Sequence, residues 1–388
     1  MKLKILIILV LSISMIVLSG CWNYRDIENM DIVTGMAIDI DKKTGNYILT
    51  IEIVNQQSSE EKADKSTGLK SIFVESEGST IFDAIRNAII KVGNKPFYGH
   101  CKVVIVSQDI ARKGIIPAID FVFRGAEVRH DLWLLISLDN TAGEILKEAN
   151  LSGGIVSFYL NDTLNSVKHV STYIADDLLE FVKALNVKTT SVLAPAVRTA
   201  AYNDRIVPEI NGSGVFKHDK LVYFLNGDES KTALLIRNEL NGGILPINEN
   251  ATGDNIKISL EILNSEVKLT PNIVNNRIVM QISAEIDVSM AELQGSEDYI
   301  NKDIREVLKK DMGNLLAGKI NDLVKKTQNN FSTDIFNFSG TIQRKMPDYW
   351  KIIEPNWDEY YENIKVRPNI KIEILYTGVL QKPIQVGE

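Results

Sequence analysis

Cysteine is the residue type in this sequence that is best placed for covalent chemistry, and it occurs only at positions 21 and 101. Its thiolate is both a nucleophile and a metal ligand. Cys21 follows Lys2, Lys4 and an apolar run over residues 5–18, which is the layout of a secretory signal. The run counts 14 residues, whereas a membrane-spanning helix needs about 20. The pattern therefore predicts an export signal rather than a permanent membrane span.

The residues around Cys21 indicate how the signal is processed. Leu18-Ser19-Gly20-Cys21 resembles the bacterial lipobox, in which a branched apolar residue and two small ones precede an invariant cysteine. The resemblance implies cleavage between Gly20 and Cys21 and a diacylglycerol group on the Cys21 sulfur. Two acyl chains make membrane attachment stable, at roughly 0.8 kcal/mol per buried CH₂. We expect residues 1–20 to be a lipoprotein signal peptide; a plain signal peptide with a chance cysteine is the alternative.

No pattern in the sequence indicates a catalytic or metal site. The four histidines are scattered, at positions 100, 130, 169 and 218, and no His-Glu-x-x-His pair or cysteine cluster occurs. The nucleophile elbow Gly-x-Ser-x-Gly is also missing. Cys101 begins an apolar run, so we expect it to be buried and inert. We predict no enzyme activity and no cofactor other than the lipid on Cys21.

Composition and charge limit the function classes further. The chain is 45% hydrophobic and 24% charged, as in ordinary globular proteins. Removing Lys2 and Lys4 from the 43 basic residues leaves 41 against 50 acidic ones, a net charge of −9. An acidic surface disfavours nucleic acid, and no polybasic patch for anionic lipids is evident. The lipid, rather than electrostatic attraction, is expected to hold the protein at the membrane.

The elements that must position these residues follow from apolar periodicity. In the first half of the chain, strands are predicted at 32–40, 47–54, 71–74, 102–106, 132–138 and 191–198. Helices are predicted at 81–92, 115–123, 141–149, 154–164 and 173–185, the first with Ser79 as its N-cap. The continuous apolar runs at 102–106 and 132–138 are typical of strands that are covered on both faces.

The second half is predicted to begin after a boundary at residues 199–211, which contain Asn203-Asp204-Arg205 and a proline. Strands are predicted at 214–217, 221–225, 256–262, 278–288 and 370–374, and helices at 228–240, with Asp228 as cap, and 304–324. Strict alternation at 256–262 and 278–288 is typical of antiparallel strands with one solvated face. The fold class predicted for the whole body is mixed α+β.

The sequence also resembles one known family. Gly20-Cys21-Trp22, Arg25-Asp26-Ile27 and the strand Ile32–Asp39 look like the opening of the Ger(x)C spore germination lipoproteins, the C subunits of germinant receptors. The similarity continues, in order, at Glu52, 79–84, 215–217, 219–222, Leu225, 334–336, 345–350, 357–359 and 376–380. Tyr223 departs from the pattern, because family members usually have glycine there.

This resemblance implies an elongated body of about three lobes, each a mixed or antiparallel sheet packed with helices. Residues 21–198 would form an N-terminal region of two lobes, and residues 212–388 a C-terminal domain. The implied function is a non-catalytic subunit on the outer surface of the spore inner membrane, beside multi-spanning A-type and B-type subunits. The small-molecule germinant need not bind to this subunit.

Three tryptophans are candidates for contacts outside the body. Trp22, next to the lipid, is expected at the headgroup level, where amphipathic rings are favoured, unless it is only linker. Trp350 and Trp357 are either partner contacts, since tryptophan is enriched at binding hot spots, or core residues of the last domain. A rival hypothesis for the whole chain is a lipid-anchored solute-binding protein or hydrolase of the cell envelope.

Overall fold

The structure is a computed structural model that describes residues 3–5, 30–55, 70–125, 127–149, 154–187, 189, 191–249, 256–294 and 302–376. Gly20, Cys21 and Trp22 lie outside these ranges, so the expectations for cleavage, lipidation and headgroup contact stay predictions.

Within the described ranges, the larger of two sheets contains nine strands and is built from the first part of the chain. They are β1 Asp31–Ile40, β2 Tyr47–Asn55, β3 Lys70–Gly78, β4 Pro96–Phe97, β5 Val103–Val106, β6 Trp133–Ser137, β7 Val192–Tyr202, β8 Arg205–Lys217 and β9 Lys220–Leu225. Their order is β3-β2-β1-β5-β6-β7-β8-β9, with β4 beside β1. The central strands β1, β5, β6 and β7 are parallel, and antiparallel hairpins extend the sheet on both sides.

Helices cover both faces of this sheet. They are α1 Ile81–Val92, α2 Gln108–Lys113, α3 Ile116–Arg124, α4 Ala142–Glu148, α5 Val156–Asn165, α6 Val167–Val170 and α7 Leu178–Leu185. Neighbouring strand residues point to opposite faces. Val104 belongs to the core cluster that includes residues of α1, α2, α3 and α7, whereas Ile105 belongs to the cluster that includes residues of α4 and α5. The two-sided burial that the apolar runs predicted for β5 and β6 is confirmed.

The smaller sheet has four strands among the residues that the structure describes, in the order β10-β11-β12-β13. They are β10 Ile244–Glu249, β11 Ile256–Val274, β12 Arg277–Gln294 and β13 Lys365–Tyr376. The associated helices are α8 Gly227–Ile236, α9 Lys302–Phe331, α10 Phe338–Lys345, α11 Pro347–Ile353 and α12 Trp357–Glu362. β13 is parallel to β12, whereas the other pairs are antiparallel. One core cluster joins Leu316 and Ile320 of α9 to Met280 and Ile282 of β12.

The α+β class is confirmed, and the described strands form two sheets packed with helices. Residues 199–211, expected to be a boundary, lie within the β7–β8 hairpin of the large sheet. Asn203 adopts a left-handed φ of 51° at its turn. The turn-forming residues were identified correctly, and they lie where β7 reverses into β8. The division of the chain at this point stays a prediction from sequence.

Two helix starts also differ from expectation by one or two residues. Thr80, rather than Ser79, caps α1 by accepting a hydrogen bond from Asp83 N–H, and Ser79 instead donates to the Asp83 carboxylate. Asn226, rather than Asp228, caps α8, where it forms a capping box with Glu229. Both caps satisfy N–H groups that a helix start leaves without an intrahelical partner.

Candidate functional site

Trp350 and Trp357 lie in the core, which is the second of the two roles that the sequence left open for them. Their side chains are 3% and 4% exposed, and their rings meet edge to face at 5.3 Å. Within the described part of the chain, neither indole N–H has a hydrogen-bond partner. Burial of both indoles favours the alternative reading, in which they fill the core between α11, α12 and the small sheet.

The candidate reactive side chains are separated from each other. His100 packs against Phe97 and His130 stacks on Phe123, 4.6 Å between ring centroids. No group of three or more histidine, cysteine or acidic residues in the described ranges is placed to hold a metal ion. Cys101 is buried and donates to the Val103 carbonyl, and its burial raises the thiol pKa to about 12. A thiol in that state is a poor nucleophile at neutral pH.

Two carboxylates of the first hairpin hold helix starts that lie about one hundred residues further along the chain. Asp39 of β1 accepts hydrogen bonds from the N–H groups of Ala142 and Gly143, at 2.7 and 2.8 Å, at the start of α4. Burial raises the Asp39 pKa, although both bonds act in the opposite direction. A carboxylate at a helix start also interacts favourably with the helix dipole.

Glu52 of β2 does the same for α5. It is fully buried and accepts from the N–H groups of Val156 and Ser157, at 2.8 and 2.9 Å. The hydroxyls of Ser157 and Thr34 donate to the same carboxylate. Gly35 leaves room for this arrangement, since a Cβ atom there would lie 1.8 Å from Ser157 Oγ. Asp39 and Glu52, both in segments that carry the family resemblance, therefore act as long-range helix caps.

Asp334 has a similar role between the two sheets. It is 3% exposed and accepts from the N–H groups of Phe336, Phe338 and Ser339, which brings the chain into α10. Its own backbone carbonyl accepts from Ser191 N–H, just before β7. Burial raises its pKa, against the effect of these bonds. The Asp334-Ile335-Phe336 motif thus fixes how the C-terminal helices join the large sheet.

An open apolar trough runs between α1 and α3, and we call it the α1–α3 groove. It has a volume of about 270 Å³ and is lined mainly by Phe82, Ile85, Ile89, Tyr98, Phe121 and Val128. A second cavity of about 360 Å³ adjoins it and shares Phe82 and Phe121. Tyr98 is 5% exposed, and in the described structure its hydroxyl has no hydrogen-bond partner.

The surface beside the α1–α3 groove is also apolar. Phe82 is 57% exposed and Ile90 is 83% exposed, and both lie on the outer side of α1 with Arg86 between them. The Arg86 guanidinium lies 4.9 Å from the centroid of the Phe82 ring. Sequence periodicity identified α1 but not this surface, because positions that face solvent on a helix carry no apolar signal of their own.

Another cavity, of about 700 Å³, is a cleft between α10, β11 and the segments that follow α7 and α8. Arg237 lies there, largely buried, and donates to Glu239 at 2.7 Å. Along β11, Asn238 Oδ1 accepts from Val267 N–H and Lys345 Nζ donates to the Leu269 carbonyl, at 2.6 and 2.7 Å. These side chains form hydrogen bonds with backbone groups at an open edge of β11. The bonds protect this edge from pairing with a strand of another chain.

Among the helices in the described ranges, none is both long enough and apolar enough to cross a bilayer.

Comparison with known proteins identifies the family. The profile described as "Spore germination protein N-terminal domain" matches residues 23–199, and the one described as "Spore germination B3/ GerAC like, C-terminal" matches residues 211–378. The two matches therefore meet at the β7–β8 hairpin.

Two curated relatives and one solved structure agree with these matches. Spore germination protein KC of Bacillus subtilis (strain 168) is 26% identical, over 98% of each chain, and spore germination protein B3 is 26% identical, over 95% of this chain and 96% of its own. The crystal structure of the GerBC protein shares the fold, with a TM-score of 0.59 at 22% identity over 88% of this chain and 97% of that one. The chain belongs to the GerAC, or Ger(x)C, family of spore germination proteins.

Proposed function

We propose that this protein is a lipid-anchored, non-catalytic subunit of a nutrient germinant receptor. The observation that carries the proposal is the match with named spore germination proteins along 98% of the chain. The lipobox that ends at Cys21 supports the anchor, which would hold the body at the outer face of the spore inner membrane. There it would support assembly or signalling with multi-spanning A-type and B-type subunits.

The described structure is consistent with a scaffold role. Its buried carboxylates, Asp39, Glu52 and Asp334, are engaged in holding helices, and Cys101 is buried. Polar groups that are used in this way stabilise one arrangement of the fold and are not free to take part in a reaction.

Deletion of the gene tests the receptor role. We expect germination with nutrients to slow, while germination with surfactants, which bypass a receptor, persists. Unchanged nutrient germination in a strain without a redundant paralogue would contradict the proposal.

The two cysteines offer a matched test of the anchor. Cys21→Ala is expected to leave a folded protein that leaves the membrane fraction and supports nutrient germination poorly. Cys101→Ala removes a thiol of the same chain without touching the lipobox, so it should remain with the membrane. Membrane retention and full activity of the Cys21→Ala protein would count against lipid anchoring.

The cleft at Arg237 supports a second candidate, an envelope solute-binding protein, because its volume suits a small polar solute. A thermal-shift screen of the protein with amino acids and sugars distinguishes the two. Strong stabilisation by one nutrient that is lost in Arg237→Ala would favour solute binding. No shift with any nutrient would favour the receptor scaffold.

A further inference from the structure

We infer that the α1–α3 groove and the adjoining exposed face of α1 dock an apolar segment of a membrane-spanning protein. The inference rests on the proposed function, and it adds the surface through which such a partner is bound. It follows from where the groove lies along the chain, from its chemistry and from the pairing of the charges around it.

The groove lies next to the point where the chain enters the fold. β1 and β4 are parallel, with Asp31 opposite Pro96 and Ile32 opposite Phe97. Lys95 and Pro96 line the groove, so its rim is adjacent to the first residues of β1. Met30 follows Cys21 by nine residues, and an extended chain covers at most about 3.5 Å per residue. A lipid on Cys21 would therefore keep this groove within roughly 30 Å of the bilayer.

The chemistry of the groove suits an apolar protein segment. Phe82, Ile85, Ile89 and Phe121 supply its walls, and Phe82 continues onto the outer face of α1 towards Ile90. Exposed apolar patches next to concave surfaces are typical of protein contacts. Tyr98, which is 5% exposed, adds its aromatic ring to the lining of the groove.

The charges at the rim argue against a lipid headgroup as the occupant. Lys95 pairs with Glu127 at 2.6 Å, and Arg124 pairs with Asp120. Anionic headgroups are attracted by clusters of unpaired lysine and arginine. The third lining cation, Arg86, lies against the Phe82 ring, and one cation does not make the cluster that attracts anionic headgroups. An apolar segment of a protein therefore fits the groove better than the bilayer surface.

Site-specific photo-crosslinking in the full-length, lipid-anchored protein tests the contact. A photoreactive phenylalanine analogue replaces Phe82 in one strain and Ile352 in another, since Ile352 is 69% exposed but lies on α11. We expect at least a ten-fold higher adduct yield at position 82, with an integral membrane protein identified in the adduct by mass spectrometry. An adduct with lipid, with this chain or a second copy of it, equal yields at both positions, or no adduct would each overturn the inference.

A double variant provides a functional readout. Phe82→Ser with Ile90→Ser changes exposed side chains, so the melting temperature and the amount of protein in spores should stay close to wild type. We expect nutrient germination to slow at least five-fold, whereas Ile352→Ser leaves it unchanged. If deletion of the gene impairs germination but the double variant germinates at the wild-type rate, the docking surface is wrong and the receptor role stands. If deletion itself has no effect, the proposed function fails instead.

Discussion

Glu52 and Ser157, which are 105 residues apart in the sequence, form a buried contact that joins the first hairpin to α5. The Glu52 carboxylate accepts from both the backbone N–H, at 2.9 Å, and the hydroxyl of Ser157. A charged acceptor with several donors in a dry site is among the stronger polar interactions in a protein. The contact joins α5, on one face of the large sheet, to the β1–β2 hairpin, which lies about one hundred residues earlier in the sequence.

Glu52→Ala should destabilise the protein strongly, because it leaves the Val156 and Ser157 N–H groups buried without an acceptor. Hydrogen bonds to charged groups contribute about 1.5–3 kcal/mol each, and we expect a loss of at least about 3 kcal/mol in the free energy of unfolding. Urea denaturation measures it. The control is Glu75→Ala, which removes an exposed ion pair with Lys147 and should cost less than about 1 kcal/mol. Equal losses would contradict the capping role.

Gly35→Ala tests the close approach of β1 to α5. The added Cβ atom would lie 1.8 Å from Ser157 Oγ and 2.8 Å from Ser157 Cβ, so the helix must move. We expect a loss above about 3 kcal/mol, or failure to fold. Gly45→Ala serves as a control because the added Cβ atom would meet no other atom within 4 Å. The φ of 78° at Gly45 adds strain of about 1 kcal/mol. Ser157→Gly combined with Gly35→Ala should recover part of the loss.

Trp357→Ala separates core packing from partner contact. Removal of a buried tryptophan leaves a cavity and costs about 3–5 kcal/mol, so the melting temperature should fall well below that of wild type. Trp357→Phe should cost less, because a ring remains against Trp350. A Trp357→Ala protein with wild-type stability would show that the indole does not support the core.

Cys101 should resist thiol reagents in the folded protein. In a variant that lacks Cys21, we expect modification at pH 8 to be at least a hundred-fold slower than after denaturation, because the thiolate is the reactive form. Its pKa is raised from 9.0 to about 12 in the fold. The protonated Cys101 thiol therefore makes its full contribution to the free energy of unfolding below pH 9, and this contribution is lost as the pH rises towards 12. Cys101→Ala should lose less stability over that range than wild type.

Local patterns were sufficient to predict most helices and strands. The alternation in 278–288 predicted β12, and the spacing of three and four in 304–324 predicted α9, because burial of one face imposes those periods. The predicted start of α1 was off by one residue, because Ser79 and Thr80 are both good caps and tertiary packing selects between them.

The long-range features were not predictable. Glu52 alternates with apolar residues in a strand, so its pattern indicates a solvent-facing position; its burial depends on a helix start about a hundred residues away. The pattern Asn203-Asp204 predicts a turn, but a turn can either reverse a strand or begin a link between domains. The pairing of β7 with β8 shows that the chain reverses here. The α1–α3 groove likewise requires two helices to be brought together.

The position of β13 has a consequence for how the protein must be made. This strand, the last described, pairs in parallel with β12 from Val279 to Ser289. The described part of the chain between the two strands contains the four helices α9 to α12. Long-range parallel pairing forms late, because the connecting chain must be ordered first. The smaller sheet can therefore be completed only after the chain has been synthesised beyond Lys365. A premature stop codon before Lys365 would leave the β12 edge unpaired, and we expect such a product to aggregate or be degraded rather than to persist as a shorter protein.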